Sequence, residues 1–439
     1  MSYAVGVDFG TTNSVIAFAD ESGGVRTVSW PSASGPTQTF RTALMFWKQG
    51  RGLGHVAGPD ALERAVAAEP TERFIQSFKT HLASRVFSEA RLFGHKVTIE
   101  DMVAIFLRHL FEAQGGTAVA DGAFLAAGRP VVFAGERPDE DLAVKRLGDA
   151  YAAAGLGQAQ FAYEPLGAAY WHARNLKRDE TVLVADFGGG TSDFALLRFS
   201  RHGEGLDAEA LGHGGCGVAG DTFDYRLIDH VISPRLGKGA TYRSLEKLLP
   251  LPAYFHASFA QWHRISWLKT PQTLAELRRF AEVSARGDEL EALVELIEMD
   301  LGFELYQTVG AVKAALSSAP EARLHFSRGG VDIDATVTRA EFESWIAPDL
   351  ARIEAALDAT LAAAHFSPEK VDAVFMTGGT SFIPSLRSIF ERRFGPEKLH
   401  YDNPFQSVAA GLALLAADRR RRGEKRAEKP PAKRIPAPH

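Results

Sequence analysis

Apolar residues in this chain follow two rhythms. Dense runs such as Ala4-Val5-Gly6-Val7, Thr181-Val182-Leu183-Val184-Ala185 and Val371-Asp372-Ala373-Val374-Phe375-Met376 are too short for long helices and too apolar for a wet face, so they predict strands covered on both sides. Elsewhere the period lengthens. Thr98-Ile99-Glu100-Asp101 opens a capped segment with Met102, Ile105, Phe106 and Leu110 on one helical face, which predicts an amphipathic helix. Residues 1 to about 47 read as short strands between Gly, Ser and Pro turns. Arg129-Pro130-Val131-Val132-Phe133-Ala134-Gly135 reads as a strand, followed by a charged helix from Asp139 through Ala154, a short strand Gln160-Phe161-Ala162-Tyr163, and a helix Leu166 to Asn175 opened by Pro165. A helical block follows from about Phe223 to Leu316, punctuated at Leu236-Gly237-Lys238-Gly239 and Arg286-Gly287-Asp288. In it Phe255, Phe259, Trp262 and Trp267 form an aromatic set expected in the core. A hairpin pattern spans Arg323 to Ala335, a helix starts near Ile383-Pro384, and a small-residue helix spans Val408 to Ala417. Strands alternating with helices imply covered α/β sheets.

Composition narrows the class. The chain has 439 residues, 46% of them hydrophobic, enough for two large lobes with sizeable cores. No stretch reaches the roughly 18 apolar residues of a membrane span, and the start MSYAVGVDFG has no basic region or cleavable apolar run, so a cytoplasmic protein is expected. Its one cysteine, Cys216, excludes an intrachain disulfide and reads as small packing filler. The last 22 residues, Asp418 to His439, hold nine Lys/Arg against three Asp/Glu and four prolines, which predicts a disordered basic tail suited to an anionic surface. Specific nucleic-acid binding is not expected.

The chemistry concentrates where apolar runs end. Two strands finish in Asp-Phe-Gly: Asp8-Phe9-Gly10-Thr11-Thr12-Asn13 and Asp186-Phe187-Gly188-Gly189-Gly190-Thr191-Ser192-Asp193. Glycines there let backbone N–H groups converge on a phosphate, threonines add donors, and the aspartates stand where a phosphate-bound cation would be. Two such turns suggest a duplicated fold closing on a nucleotide. Asp8, Asp186 and Asp193 are the candidate oxygens for Mg²⁺, which binds through few carboxylates plus phosphate and water. The chain lacks the His-Arg-Asp loop of protein kinases, a Gly-Lys-Ser/Thr phosphate loop, a His-Glu-x-x-His motif and paired cysteines, so those chemistries and protein-bound zinc are not expected.

With Tyr163-Glu164-Pro165-Leu166-Gly167-Ala168-Ala169 and Thr377-Gly378-Gly379-Thr380-Ser381-Phe382-Ile383-Pro384, these motifs resemble, in order, those of the seventy-kilodalton heat-shock (DnaK-type) chaperones. Lys313-Ala314-Ala315-Leu316-Ser317-Ser318 and Val337 to Glu343 fit its second lobe, and Leu211-Gly212-His213-Gly214-Gly215-Cys216 is similar to the short YegD-type branch. The resemblance covers residues 1 to about 417. It implies an α/β, actin-like ATPase fold: lobe I over 1–175, lobe II over 176–417 with a helical subdomain near 223–316, ATP or ADP with Mg²⁺ between them, and slow hydrolysis coupled to a protein partner. Gly10, Thr11, Thr12 and Asn13 match the first phosphate turn, and Gly188, Gly189, Gly190 and Thr191 the second. Gly378, Gly379 and Phe382, with Lys313 and Ser317, match the nucleoside side. Lys79 falls at the family's catalytic lysine and Glu164 at its linked carboxylate, so Lys79 and Mg²⁺ are expected to stabilise the γ-phosphoryl while Glu164, Asp186 and Thr191 orient water. Departures are visible. The two adenine-stacking arginines are replaced by Ala314 and Phe382, an acidic position is Gly310, and Phe405 follows Asn403-Pro404 where an aspartate is usual. The leucine-rich linker and peptide-binding half expected after Ala417 are replaced by the tail. Two other readings have a place: a catalytically weak nucleotide-dependent scaffold, and a small-molecule kinase on the same fold.

Overall fold

The computed structural model describes residues 4–421 other than 33–34, 67–71, 113–123, 136, 158, 174–175, 177, 203–204, 261–264, 300 and 402–406, without the side chains of 66, 201–207 and 266–267. Trp262, the side chain of Trp267, Asn403-Pro404-Phe405 and the tail beyond Arg421 lie outside the described residues.

Two sheets share one topology. In the first, β1 (Ala4–Phe9) is central, antiparallel to β2 (Asn13–Ala19), which is antiparallel to β3 (Val25–Thr27); on its other side β4 (Phe124–Arg129) and β5 (Gln160–Tyr163) run parallel. In the second, β6 (Glu180–Phe187) holds that central place, with β7 (Ser192–His202) and β8 (Gly205–Cys216) antiparallel on one side and β9 (Ala373–Thr377) and β10 (Leu399–Tyr401) parallel on the other. The order and direction of these five strands repeat, and the first sheet adds a two-residue strand, Phe40–Arg41, beside β2. This is the duplicated α/β core of an actin-like fold.

The strands form because their alternating side chains are covered on both faces. From β1, Val5, Val7 and Phe9 enter a core shared with Met102, Phe106 and Leu147, while Ala4 joins another with Val15, Ala409 and Leu412. That second core also takes Val182, Val184, Ala195 and Phe375 from the other sheet. Two helices make the join. Helix α1 (Glu164–Ala173) follows the last strand of the first sheet and packs on β6 and β7 of the second, whereas α2 (Ser407–Arg421) follows the last strand of the second and packs on β1, β2 and β4 of the first. The two helices also meet each other: a Cβ at Gly411 would stand 1.6 Å from the Gly167 carbonyl oxygen.

Four sequence expectations shift. Arg129 to Gly135 is not a strand: pairing stops at Arg129, because Pro130 brings no N–H to a ladder and the Val131 and Val132 amides turn to the Asp193 carboxylate instead. Helix α1 starts at Glu164, with Pro165 inside its first turn, and α2 runs four residues past Ala417. The region near 223–316 also contains a hairpin, Thr241–Ser244 with Lys247–Pro250, besides helices such as Pro271–Glu282, Gly287–Glu298 and Gly302–Ser318. The helix over Glu140–Ala153, capped by Asp139, and the hairpin of Glu321–Arg328 with Val331–Thr338 stand where the pattern puts them.

The chain divides into two compact units. The first holds residues 1–220, 352–382 and 386–439, with both sheets; the second holds 221–351 and 383–385. Within the second, Phe255 and Phe259 are buried, Arg226 pairs with buried Asp349 at 2.7 Å, and Phe223 meets Phe342 edge-on.

Candidate functional site

Both Asp-Phe-Gly strands end in open glycine turns held from behind. At the first, the Gly10 carbonyl accepts the Thr42 hydroxyl at 2.8 Å, the Thr42 amide donates to the Thr12 carbonyl at 2.9 Å, and Thr42 Oγ1 lies 2.9 Å from Ser14 Oγ. A Cβ on Gly10 would sit 2.1 Å from the Asn13 carbonyl oxygen, so the turn requires glycine. At the second, the Gly188 amide donates to the Thr191 carbonyl at 3.0 Å, and the Gly188 carbonyl accepts from the Gly220 amide and the Thr380 hydroxyl. Gly10, Thr11, Thr12, Asn13, Gly188, Gly189, Gly190 and Thr191 all keep solvent-accessible surface. The turns face each other: the Cβ direction of Gly190 reaches 3.7 Å from Thr11 Oγ1 and 3.9 Å from Thr80 Cγ2.

A third turn follows β9. Gly378 has φ of 83° and a Cβ there would strike the Phe187 carbonyl oxygen at 2.0 Å, so backbone angle and space both select glycine. Its carbonyl accepts the Ser381 hydroxyl at 2.6 Å. Gly379 starts the short helical turn that ends at Phe382, whose ring is 45% exposed. Lys313 and Ser317 belong to the second unit, where Lys313 Nζ pairs with Asp224 at 2.8 Å and Ser317 donates to the Lys313 carbonyl.

Lys79 lies in a single helical turn, Phe78–His81, entered through Ser77 at φ of 54°. Its ammonium is buried, donates to Glu164 Oε1 at 2.7 Å and stands 5.6 Å from the Phe9 ring centroid. Glu164 is also buried, at the start of α1, where a carboxylate gains from the helix dipole. Asp8 and Asp186, last but one in β1 and β6, keep part of their surface exposed. Asp193, paired with Asp186 across β6 and β7, is fully enclosed and satisfied: Oδ1 accepts the Val131 and Val132 amides at 2.9 and 3.0 Å and Oδ2 the Thr191 hydroxyl at 2.7 Å.

The charges do not balance. Burial, and then the Glu164 charge, push Asp8 up to about 7 against the pull of Lys79. Burial and the charges of Glu164, Asp8 and Asp193 hold Asp186 well above the ordinary carboxylate range. Asp193 is also pushed up to about 7, chiefly by burial and then by Glu164, although its three hydrogen bonds oppose the shift. One ammonium thus faces several carboxylates that would ionise more readily beside a further cation. Among the described residues no three His, Cys, Asp or Glu side chains form a ready metal cage. The partly exposed carboxylates of Asp8 and Asp186 are of the chemistry that would hold Mg²⁺ together with water and phosphate.

Sequence reasoning did not single out Thr42, Ser77, the Val131 and Val132 amides, Tyr151 or Arg146. Tyr151 is fully buried, and burial, Asp8 and Glu164 all hold its phenol protonated. Arg146 carried a signal: it shares one helical face with Ala143, Leu147 and Ala150, all buried, and a charge at a core-facing position needs partners.

The Hsp70 protein family profile matches residues 301–424. The chain is 27% identical over 419 residues to the chaperone protein DnaK of Thermotoga petrophila and equally to that of Thermotoga maritima, covering 94% of this chain and 59% of each relative. It is 27% identical over 430 residues to the chaperone protein dnaK of Cyanophora paradoxa, covering 95% of this chain and 60% of that one. The chain thus spans about three fifths of the length of these relatives. With the duplicated fold and the ordered glycine turns, these matches make the chain similar to the Hsp70/DnaK proteins.

Proposed function

We propose that the first unit binds the phosphates of ATP or ADP with Mg²⁺ and hydrolyses ATP slowly, as the nucleotide switch of a chaperone-related protein. The observation that carries this reading is the buried Lys79–Glu164 pair at 2.7 Å, placed beside Asp8 and Asp186 in a unit whose two glycine turns face each other. A buried ion pair contributes little net stability once desolvation is counted, so its presence next to an already acidic centre points to use rather than to scaffolding.

Phosphoryl transfer through a loose transition state demands positioning and charge stabilisation more than covalent chemistry. The N–H groups and hydroxyls of Gly10 to Asn13 and Gly188 to Thr191 would hold the phosphates. Lys79 would donate to the oxygens of the transferring group, and Glu164, Asp186 and Thr191 would orient the attacking water. Asp8 and Asp186 are the carboxylates left to hold Mg²⁺, because Asp193 already serves Val131, Val132 and Thr191. Bound Mg²⁺ would supply charge neutralisation on the phosphate oxygens.

Lys79→Ala separates binding from chemistry. Nucleotide affinity should hold within a few-fold, since the turns remain. Single-turnover hydrolysis should fall by roughly 3–4 kcal/mol, on the order of a few hundredfold, as expected when one preorganised donor is removed. Equal rates in variant and parent would remove Lys79 from the mechanism.

A further inference from the structure

The turn that carries Lys79 is irregular, and one arginine reaches several carbonyls of the segment just after it. Arg146, on the helix Glu140–Ala153, is 6% exposed. Its Nη1 lies 2.9 Å from the Ser84 carbonyl oxygen, 3.0 Å from Leu82, 3.3 Å from His81 and 3.4 Å from Phe87. One nitrogen has two hydrogens, so Ser84 and Leu82 are the best-served partners and the others lie in its field. Its Nε stands 3.3 Å from Glu100 Oε1 on the neighbouring helix Ile99–Glu112. The N-terminal end of the helix Glu140–Ala153 grips the segment twice more. The Asp139 amide donates to the Ala83 carbonyl at 3.1 Å, and the Asp139 carboxylate pairs with Arg85 at 2.7 Å.

Phe78, Leu82 and Ala83 anchor the segment between Gln76 and Glu89 in the core, and these contacts add the fixing of its backbone from Lys79 to Ser84, whose own hydrogen bonds are local. It starts from Ser77 in the left-handed region, which a non-glycine residue adopts at a cost. Inside it the Leu82 amide bonds Lys79, the Thr80 amide bonds Ser77 and the Ser84 amide bonds His81. Each of these is a local turn bond. Without Arg146 the carbonyls of Leu82 and Ser84 would lose their charged donor, and buried carbonyls seek other partners by changing the backbone. The Leu82 amide is bonded directly to the Lys79 carbonyl, so such a change would reach Lys79.

We propose that Arg146, seconded by the Asp139–Arg85 pair, is a positioning residue that holds the Lys79 turn in the conformation aiming its ammonium at Glu164. This deepens the ATPase reading and rests on it for its catalytic consequence only. Arg146→Lys keeps the charge and the stem but not the planar fork of donors. Arg85→Ala loosens the same segment from a side chain that is 80% exposed, so it is not expected to endanger folding.

The first measurement needs no nucleotide. Full-length protein is treated with a limiting amine-acetylating reagent, and modification of Lys79 is read by mass spectrometry against Lys145, whose side chain is 72% exposed. Relative to Lys145, Lys79 should react several-fold faster in Arg146→Lys and about twofold faster in Arg85→Ala, as its turn opens more often. The second measurement is single-turnover hydrolysis. Arg146→Lys should slow it between about tenfold and a hundredfold, as misplacement of a catalytic group does, with nucleotide affinity within about twofold. Adding Arg146→Lys to Lys79→Ala should slow it no further. Unchanged Lys79 labelling in both variants, or an equal further slowing in the Lys79→Ala background, would overturn the proposal. If Arg146→Lys does not fold, the labelling of Arg85→Ala decides. If Lys79→Ala hydrolyses at the parental rate, the ATPase reading fails and the labelling result still decides the clamp.

Discussion

At His55 three influences act in one direction and two, the Glu112 charge and a backbone hydrogen bond, oppose them. Burial does most to keep its ring neutral, the charges of His109 and Arg108 add to it, and Glu112 pulls the other way. His55 Nδ1 meets His109 Nε2 at 2.9 Å, with ring centroids 5.1 Å apart, so the rings meet almost head to head; His109 Nδ1 meets Glu112 at 2.7 Å. If Glu112 accepts from His109 Nδ1–H, His109 Nε2 is the acceptor and His55 Nδ1–H the donor, and burial, more than this bond, is what disfavours the His55 cation. The folded protein therefore holds the His55 proton less well than the unfolded chain. The stability this contributes is fully present above the ordinary value of 6.5 and is lost as pH falls through the lowered folded value. His55→Gln keeps a donor toward His109 and removes the titration. The parent should lose more stability than the variant in denaturant titrations taken from pH 7.5 to 5.5; equal losses would assign the acid sensitivity to other groups.

Between elements, close packing decides what a substitution does. Gly411 in α2 stands so near α1 that a Cβ would lie 1.6 Å from the Gly167 carbonyl oxygen and 3.0 Å from the Trp171 amide nitrogen, whereas Gly310 in the helix Gly302–Ser318 has open space at that position. Gly411→Ala must push helices apart and should cost at least 1–3 kcal/mol. Gly310→Ala should instead stabilise by about 1 kcal/mol through helix propensity. Thermal melts of the two variants should move in opposite directions; a neutral Gly411→Ala would mean that the two helices meet less closely. The same packing explains what the sequence could disclose. Strands such as Ala4–Phe9 are legible because both faces are covered, which leaves a dense apolar run. The hairpin Thr241–Pro250 is not, because Leu248 is 66% exposed and no alternation marks a buried face. Val131 and Val132 look like strand residues, and only the position of Asp193 in space diverts their amides. The glycine turns announce themselves through residue type. Lys79 is one lysine among many until its partner Glu164 is brought to 2.7 Å, and Arg146 differs from a surface arginine only by the buried company on its helical face.

At the scale of the whole molecule, the residues proposed to hold phosphate and cation, Gly10 to Asn13, Gly188 to Thr191, Asp8, Asp186, Lys79 and Glu164, all stand in the first unit, whereas Lys313 and Ser317 stand in the second. Among the described residues no helix is long and apolar enough to cross a membrane. The division implies a separation of labour in recognition. If the first unit supplies most of the binding energy, a ligand with phosphates and no base should stabilise it nearly as well as a nucleotide. With Mg²⁺, tripolyphosphate at about 100 times its dissociation constant should add about 2.7 kcal/mol to the stability of the unit that binds it, and raise its unfolding transition in scanning calorimetry. The base should then matter little. If the exposed Phe382 stacks on the base, such a face does not read purine edges, so GTP should bind within about tenfold of ATP, a gap of about 1.4 kcal/mol. Without Mg²⁺ all three ligands should lose most of their effect, because their phosphates would meet Asp8, Asp186 and Glu164 with only Lys79 to offset them. Calorimetric titration with ATP, GTP and tripolyphosphate, each with and without Mg²⁺, decides the matter. Stabilisation by ATP alone, or binding indifferent to Mg²⁺, would show that the nucleoside and not the phosphate chain governs recognition.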